Sequence, residues 1–412
     1  MKRIGLNVQI LLGLLAGGAF GFFWGDSVGS VAWLGDVFLR ALRMLIVPLV
    51  VTSIASGVAS IGGGRDLGRI GLKTIGYYGA TSLLAACLGL LLVNVLRPGV
   101  GAELGFGEDV AGIELASGSF GSTLVEAVPS NLFEALASNN MLQVIFLAFL
   151  FGYSMTRLTS ENGRLIVKAT SGAFELMMQV TLLVMRFAPL GIFGLMASVV
   201  AREASDLASL GQLVSRLGLF VLVVLLGLGF HAGVTLPALL KLLGGINPLK
   251  HARAMTTPLL TAFSTASSSA TLPLTIEAVE KKAGVSNRIS SFVLPLGATI
   301  NMDATALYEC VAALFIAQAY GIELSLAQQM IVIATALLVS VGAAGIPMAG
   351  LVMMSMILSA VGLPLEGIGL VLGVETFLGM CRAAVNIWGD SCGAVLIARS
   401  EGERLRYTDE GA

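Results

Sequence analysis

Charged residues are scarce in this sequence. They make up 12% of its 412 residues, and the mean hydropathy is +0.91. A soluble domain carries roughly 25% charged residues, so the deficit excludes a soluble globular protein and makes lipid the expected solvent. Apolar stretches of about 20 residues, long enough to cross a bilayer, recur along almost the whole chain.

Cysteine and histidine are scarce as well. The four cysteines lie in apolar segments, without the spacing of a metal site or a disulfide framework. The two histidines, His231 and His251, are far apart and have no evident ligand partner. The net charge of −1 gives no electrostatic basis for binding nucleic acid. We therefore expect no cofactor, no transition-metal site and no nucleic-acid partner.

The apolar runs predict six conventional transmembrane helices before residue 245. They cover residues 6–25, 30–60, 70–96, 138–158, 164–200 and 211–242. Lysine and arginine fill the second and fourth connections and flank the set at both ends, whereas the third connection is mainly acidic (Glu103, Glu108, Asp109 and Glu114). The positive-inside rule then predicts cytoplasmic termini and an external acidic loop.

The second half breaks this pattern at two apolar segments, 254–285 and 325–362. The first is interrupted by prolines and a run of serines and threonines, the second by a Gly-Pro-Gly tip. Each precedes a long helix, 289–320 and 365–398. Irregular backbone survives at membrane depth only where it is buried in protein or lines a cavity. We therefore predict two re-entrant helical hairpins in inverted repeats, the layout of a secondary transporter; ordinary helical hairpins with packing glycines are the alternative.

An unusual polar stripe follows one face of the last helix. Its members, spaced three or four residues apart, are Glu375, Gly379, Arg382, Asn386 and Asp390. An ionisable residue inside a span is expensive and indicates function. A buried guanidinium suits a carboxylate, so we expect Arg382 either to bind an anionic ligand or to pair with Glu375.

The preceding helix carries a second polar set. Asn301, Thr305 and Glu309 are spaced to share one face, and Asp303 is turned to another. Glu309 has no evident cationic partner in the sequence, so its buried carboxyl is predicted either to carry a proton or to bond a backbone group.

Oxygen-bearing side chains of both helices favour an alkali cation. The amide and carboxylate groups of Asn301, Asp303, Asn386 and Asp390 are hard ligands, which suit such a cation better than a transition metal. Hydroxyl groups of the third span can add to this set, or can serve as hydrogen-bonding groups between helices. They belong to Tyr78, Thr81 and Ser82.

Taken together, several segments resemble the glutamate transporter family, the dicarboxylate/amino acid:cation symporters. They are TASSSATLP (265–273), PLGATINMDATALYE (295–309), GIPMAG (345–350) and RAAVNIWGD (382–390), supported by 42–61 and YYGATS (77–82). Any one would be moderately specific, whereas all of them in this order are highly specific. The resemblance spans the whole chain.

The resemblance implies an all-α integral membrane fold of eight transmembrane helices plus two re-entrant hairpins, assembled as a homotrimer in a bacterial-type inner membrane. Residues 1–245 would be mainly scaffold and trimerisation helices, of which the third and sixth also contact the transport unit. Residues 246–400 would form that unit and move as an elevator. Residues 401–412 would be a cytoplasmic tail.

The resemblance also implies roles for individual residues. Arg382 and Thr305 would bind a side-chain carboxylate of the substrate. The remaining substrate contacts would come from Ser268, Ser269, Met302, Asn386 and the tip residues Ile346 and Gly350. Sodium ions would bind at three places: at Gly297, Asn301, Asn386 and Asp390; at Tyr78, Thr81, Ser82, Asn301 and Asp303; and at Thr299 with carbonyl groups of the tip. Glu309 would be the proton-coupling residue.

Two positions depart from the family pattern. Members that carry acidic amino acids have an aspartate and a threonine near the substrate ammonium, where this chain has Gly379 and Ala383. The family's extra arginine is absent too, since its possible positions are Ala266 and Met380. An ammonium without a carboxylate partner is poorly compensated. We therefore expect a sodium- or proton-coupled importer of a C4-dicarboxylate.

Other readings stay open at this point. The first is a glutamate/aspartate:cation symporter in which Glu375 reaches the ammonium, and a remote one is an anion channel. An enzyme is not expected, because Ser267, Ser268 and Ser269 have no candidate histidine base, and the aspartates lie in a cation-like setting.

Overall fold

The computed structural model describes residues 6–60, 65–100, 125, 128–138, 141–203, 207–340 and 349–406. Every regular element in these ranges is helical. Those before residue 231 are α1 (Leu6–Phe23), α2 (Gly29–Ser60), α3 (Arg65–Leu96), α4 (Leu132–Ala137), α5 (Met141–Thr156), α6 (Glu161–Met185), α7 (Ala188–Glu203) and α8 (Leu207–Phe230).

A π-turn, His231–Thr235, joins α8 to α9 (Leu236–Gly244). The helices that follow are α10 (Pro248–Ala254), α11 (Thr256–Thr265), α12 (Ser268–Ala278), α13 (Asn287–Ile300), α14 (Asp303–Ala319), α15 (Leu326–Ser340), α16 (Ala349–Val361) and α17 (Ile368–Ser400).

Several helices of the structure are long and apolar enough to cross a bilayer. By length and composition, five stretches can cross a bilayer: Gly29–Ala59, Arg69–Leu96, Val214–Gly244, Asn287–Ala319 and Leu365–Ser400. The pair α6 and α7 forms a sixth, and α1 and α5 are shorter apolar helices. The chain is therefore an all-α, multi-pass membrane protein with several apolar helices.

The fifth predicted span is not one straight helix. We expected a single helix over 164–200, but α6 ends at Met185 and α7 continues at an angle of 55°. Pro189 is the second residue of α7. Proline has no N–H to bond back into a preceding turn and its ring clashes there, which explains why the helix breaks at this point.

The predicted helix over 289–320 is also interrupted. Asn301 has φ −86° and ψ 86°, and the N–H of Met302 bonds to the carbonyl of Ile300, 3.1 Å away, instead of continuing the helix. The expectation that Asn301 shares one continuous helical face with Thr305 and Glu309 is therefore wrong. The break interrupts the regular helical hydrogen bonding in the middle of the protein.

The two hairpins are present in the described residues. In the first, α11 and α12 pack together across Ala266, which has a left-handed backbone (φ 49°), and Ser267 caps α12 by accepting from the N–H of Ala270 at 3.2 Å. In the second, α15 packs against α16. Its tip, residues 341–348, lies outside the described residues.

Helix α14 lies at the centre of the molecule. All its residues are buried except Gln318, which is partly exposed. Helices α3, α8, α15, α16 and α17 contact it, whereas α1, α2, α5, α6 and α7 mainly pack among themselves. This arrangement places the first residues of α14 beside the middle of α17, where the polar residues of both helices meet.

Candidate functional site

Asp303, the first residue of α14, is the meeting point of three elements. Its side chain is fully buried. The Oδ1 atom accepts hydrogen bonds from Ser82 Oγ at 2.6 Å and Thr81 Oγ1 at 3.2 Å, both on α3. The Oδ2 atom lies 3.1 Å from His231 Nε2, in the π-turn. The α14 carboxylate is thus held by hydroxyl groups on one side and an imidazole on the other.

Asp390 of α17 forms a second cluster beside the first. Asn301 Nδ2 donates to Asp390 Oδ1 at 2.9 Å, while the buried Oδ1 of Asn301 has no hydrogen-bond partner among the described residues. Tyr78 donates its hydroxyl to the carbonyl of Val293 at 2.9 Å. A Cβ atom at Gly297 would lie 2.5 Å from both Asp390 Oδ1 and the Tyr78 hydroxyl. Glycine therefore allows the backbone of α13 to lie close to this carboxylate and to the Tyr78 hydroxyl.

Asn386 connects the break between α13 and α14 to α17. Its Oδ1 accepts from the N–H of Ala304 at 2.9 Å, which caps the start of α14. Its Nδ2 lies 3.2 Å from Thr305 Oγ1 and 3.3 Å from Met302 Sδ. The structure thus brings together Met302, Thr305 and Asn386, three of the residues expected at the substrate site.

Arg382 lies in a cage of acidic and aromatic groups. Its Nη2 forms a short ion pair with Glu375 Oε1, and its Nη1 is 3.8 Å from Glu309 Oε1. Its Cζ lies 4.0 Å from the centre of the Tyr308 ring. Of the two partners expected from the sequence, Glu375 is therefore in place. The expectation that Glu309 lacks a cationic partner is wrong, because α14 and α17 cross at this point.

Several hydrogen-bonding positions in this cage are unused. Among the described residues, no hydrogen-bond partner is present for Arg382 Nε and Nη1, for either carboxylate oxygen of Glu309, or for Glu375 Oε2. Unsatisfied polar atoms at such depth are costly. Arg382 thus has donors left over for an anionic ligand.

Gly350 closes the cage from α16. A Cβ atom at this position would contact Glu375 Oε1 and lie 2.8 Å from Nη1 and Nη2 of Arg382. By contrast, a Cβ at Gly379 would meet only Arg382 Nη2 within 4 Å, at 3.6 Å, among the described residues. The guanidinium is therefore covered on the α16 side and has room on the side of Gly379.

The remaining expected residues are placed less completely. Ser268 is buried at the start of α12, and Thr299 Oγ1 donates to the carbonyl of Leu296 at 2.9 Å. The side chain of Ser269, the tip residue Ile346 and the carbonyl groups expected to complete a site at Thr299 lie outside the described residues.

The ionisable groups of this region are unbalanced. Four carboxyl groups are buried, each 3% exposed or less, together with one guanidinium, that of Arg382. They belong to Asp303, Glu309, Glu375 and Asp390. The site therefore carries up to three excess negative charges among the described residues. Burying uncompensated charge costs several kcal/mol per group, so protons or metal cations have to balance it.

Comparison with known proteins decides the family. A model of the Sodium:dicarboxylate symporter family matches residues 6–400. The chain belongs to this family. It is therefore a multi-pass membrane transporter and not an enzyme, as the sequence motifs indicated.

Relatives of this symporter share about a third of its residues over most of their length. The "Proton/sodium-glutamate symport protein" of Bacillus caldotenax is 35% identical, with 100% of this chain and 97% of the relative covered. The "Proton/glutamate-aspartate symporter" of Escherichia coli (strain K12) is 34% identical, with 97% and 94% covered. The human "Excitatory amino acid transporter 3" is 34% identical, with 92% and 80% covered.

Sequence reasoning missed the contacts of both histidines in this symporter. His231 is bonded to Asp303, as described above. His251 of α10 lies 3.1 Å from Ser391 Oγ and its ring packs 5.1 Å from the Trp388 ring. Burial lowers the pKa of His251 to about 3, so this ring is neutral. For His231 the available signal was its position in an otherwise apolar segment, which is expensive and hence informative; His251 stands between Lys250 and Arg253 and offered no such signal.

Proposed function

We propose that this protein is a cation-coupled symporter that imports glutamate or aspartate. The observation that carries the coupling is the excess of buried carboxyl groups around one arginine, Arg382. Cations that neutralise the carboxylates make the site able to accept an anionic substrate, because each bound cation removes a repulsive charge. Substrate and cation then bind together.

Arg382 is the proposed anchor for one carboxylate of the substrate. Its Nε and Nη1 make no hydrogen bond to a described residue, and guanidinium binds carboxylate through two parallel hydrogen bonds. Thr305 would assist from α14. The second carboxylate would be held by Ser268, Ser269, Met302, Asn386, Ile346 and Gly350.

Glu375 is the proposed partner of the substrate ammonium. Without substrate it forms the ion pair with Arg382. A substrate carboxylate that takes over the guanidinium releases Glu375, whose charge the ammonium can then neutralise. This exchange leaves Arg382 and Glu375 each facing an opposite charge, and it agrees with the names of the bacterial relatives, a glutamate and a glutamate-aspartate symporter.

The second candidate is a C4-dicarboxylate, the substrate expected from the sequence. It is favoured by Gly379 and Ala383, which provide no ligand for an ammonium, and by the open space beside Gly379. In that case Glu375 would only neutralise Arg382 in the empty transporter.

The coupling ions are proposed to bind at the two carboxylate clusters and at one further site. One sodium ion would bind at Tyr78, Thr81, Ser82, Asn301 and Asp303, a second at Gly297, Asn301, Asn386 and Asp390, and a third at Thr299 with the hairpin tip. Glu309, near Arg382, would carry a proton.

Location and assembly complete the proposal. The bacterial relatives and the basic connections favour a bacterial inner membrane with both termini in the cytoplasm. The mutual packing of α1, α2, α5, α6 and α7 favours a scaffold against which residues 246–400 move. The homotrimer is proposed from the family resemblance.

Competition for uptake distinguishes the two substrates. Proteoliposomes with an inward sodium gradient are given labelled L-aspartate, with unlabelled L-glutamate, succinate or malate as competitors. The proposal predicts accumulation of aspartate, and competition by succinate at least about 10-fold weaker than by glutamate, since an unpaired buried carboxylate costs 2–5 kcal/mol. Glu375→Gln should remove the preference for the amino acid.

Two results would contradict this reading. Labelled succinate accumulating while aspartate does not compete would support the dicarboxylate candidate. Aspartate flux that only equilibrates across the membrane, without accumulation, would indicate a channel.

A further inference from the structure

The imidazole of His231 contacts a carboxylate that the proposed function assigns to sodium. We propose that His231 is a positioning residue for this site: its Nε2–H holds Asp303 so that the carboxylate faces Thr81 and Ser82. This role rests on the sodium site proposed at Asp303. It concerns a residue that binds neither the substrate nor the ion.

The geometry around Asp303 is closed except on one side. His231 and Asp303 are both fully buried, with Nε2 3.1 Å from Oδ2. Ser82 and Thr81 take up Oδ1 at 2.6 and 3.2 Å. A carboxylate can accept about four hydrogen bonds or equivalent contacts, so three of its positions are filled and one remains for a cation.

The three donors are chemically different. A hydroxyl oxygen carries lone pairs and can turn to ligate a cation, as proposed for Thr81 and Ser82. A protonated ring nitrogen can only donate, so the bond from His231 is unaffected when an ion enters. Such outer partners orient metal ligands, and their loss typically weakens metal binding 10- to 100-fold.

The imidazole has no competing partner for this role. Its Nδ1 is buried and makes no hydrogen bond to any described residue. The carboxylate that a cation would need can only accept hydrogen bonds, so the proposed role requires the ring proton on Nε2. Among the described residues, the ring therefore hydrogen-bonds only to Asp303.

The backbone of His231 is fixed as well. It is the first residue of the π-turn His231–Thr235, a type of distortion frequent at functional sites. Trp388 Nε1 of α17 donates to the carbonyl of Ala232 at 3.1 Å. Since α17 also carries Asp390, the turn is tied to the helix of the second carboxylate cluster.

Sodium binding by the purified full-length protein tests this role. The assay is the sodium-dependent rise of the thermal unfolding midpoint without substrate, together with the sodium half-saturation and maximal rate of uptake in proteoliposomes. His231→Leu and His231→Met remove the donor, and His231→Gln retains an N–H. His251→Leu, at the other buried histidine, is the matched control, and Asp303→Asn tests the site itself.

The donor-free variants should raise the sodium concentration for half-saturation about 10- to 100-fold and leave the maximal rate at saturating sodium largely intact. His231→Gln should restore it to within about 3-fold, because one N–H is sufficient. His251→Leu should leave sodium half-saturation unchanged. Using two donor-free variants keeps the test decisive if one of them does not fold.

The role of His231 would be overturned if the donor-free variants kept the sodium half-saturation of the wild type while Asp303→Asn changed it. The sodium site at Asp303 would then still stand. The same conclusion would follow if His231→Gln were as impaired as His231→Leu. Unchanged sodium binding in Asp303→Asn would overturn the sodium site of the proposed function, and with it the role of His231.

Discussion

A single methyl group added at residue 297 should weaken sodium binding. In Gly297→Ala, the new carbon would lie 2.5 Å from Asp390 Oδ1 and from the Tyr78 hydroxyl, whereas ordinary contact begins at 3.4 Å. The neighbours must therefore move by about 0.9 Å. Neither is free to do so, since Asn301 holds Asp390 at 2.9 Å and Val293 holds Tyr78 at 2.9 Å.

The size of the loss in sodium affinity can be worked out from the hydrogen bond that the added methyl group would break. The bond from Asn301 to the carboxylate of Asp390 is charge-assisted and worth about 1.5–3 kcal/mol, which corresponds to roughly 10- to 150-fold in affinity. We expect the sodium concentration for half-maximal binding to rise by about that factor in Gly297→Ala.

The assay is sodium titration of the purified protein by its thermal unfolding midpoint, without substrate. Gly79→Ala is the control, because a Cβ there has no neighbour within 4 Å among the described residues and the position is next to Tyr78. It should bind sodium normally. Normal sodium binding by Gly297→Ala would refute the assignment of a cation to the space beside Asp390.

Three further changes test other parts of the site. Gly350→Ala should raise the substrate concentration for half-maximal uptake at least about 10-fold, because its Cβ would lie 2.8 Å from both Nη atoms of Arg382. A substrate concentration equal to that of the wild type would show that α16 does not close on the guanidinium. Glu309→Gln should abolish the response of uptake to an imposed pH gradient and keep its sodium dependence, measured in proteoliposomes; a retained response would exclude Glu309 as the proton carrier. Glu401→Gln should lower the thermal unfolding midpoint at pH 7. Hydrogen bonds from Lys73 and Arg69 hold the pKa of Glu401 below its ordinary value, so its stabilisation is present above the unfolded pKa, about 4.3, and is lost as the pH falls through the lowered one. The thermal unfolding midpoints of wild type and variant should therefore become equal in acid. A difference between the two midpoints that does not change with pH would contradict this.

The features that could be predicted from the sequence are those that depend on neighbouring residues within one helix. The apolar run of α2 ends within a residue of its expected bounds, Gly29–Ser60 against 30–60. The pairing of Arg382 with Glu375 was one of the two alternatives that the sequence left open, because two helical turns separate them on one face. Helical periodicity alone carries such information.

The features that were missed depend on distant parts of the chain. The break at Asn301 is stabilised by Asn386, which caps Ala304 from α17. The contact of Glu309 with Arg382 and that of His231 with Asp303 join separate helices. A periodic pattern reports which face of a helix is polar, but not which other helix meets that face.

The central claim is that Arg382 binds a carboxylate of a substrate carried inward with sodium. The most direct measurement is the accumulation of labelled L-glutamate or L-aspartate in proteoliposomes under an inward sodium gradient, with wild type, Arg382→Ala and the exposed control Arg186→Ala. We expect accumulation by wild type and Arg186→Ala, and none by Arg382→Ala or when choline replaces sodium. Full accumulation by Arg382→Ala, or accumulation without any cation gradient, would contradict the claim.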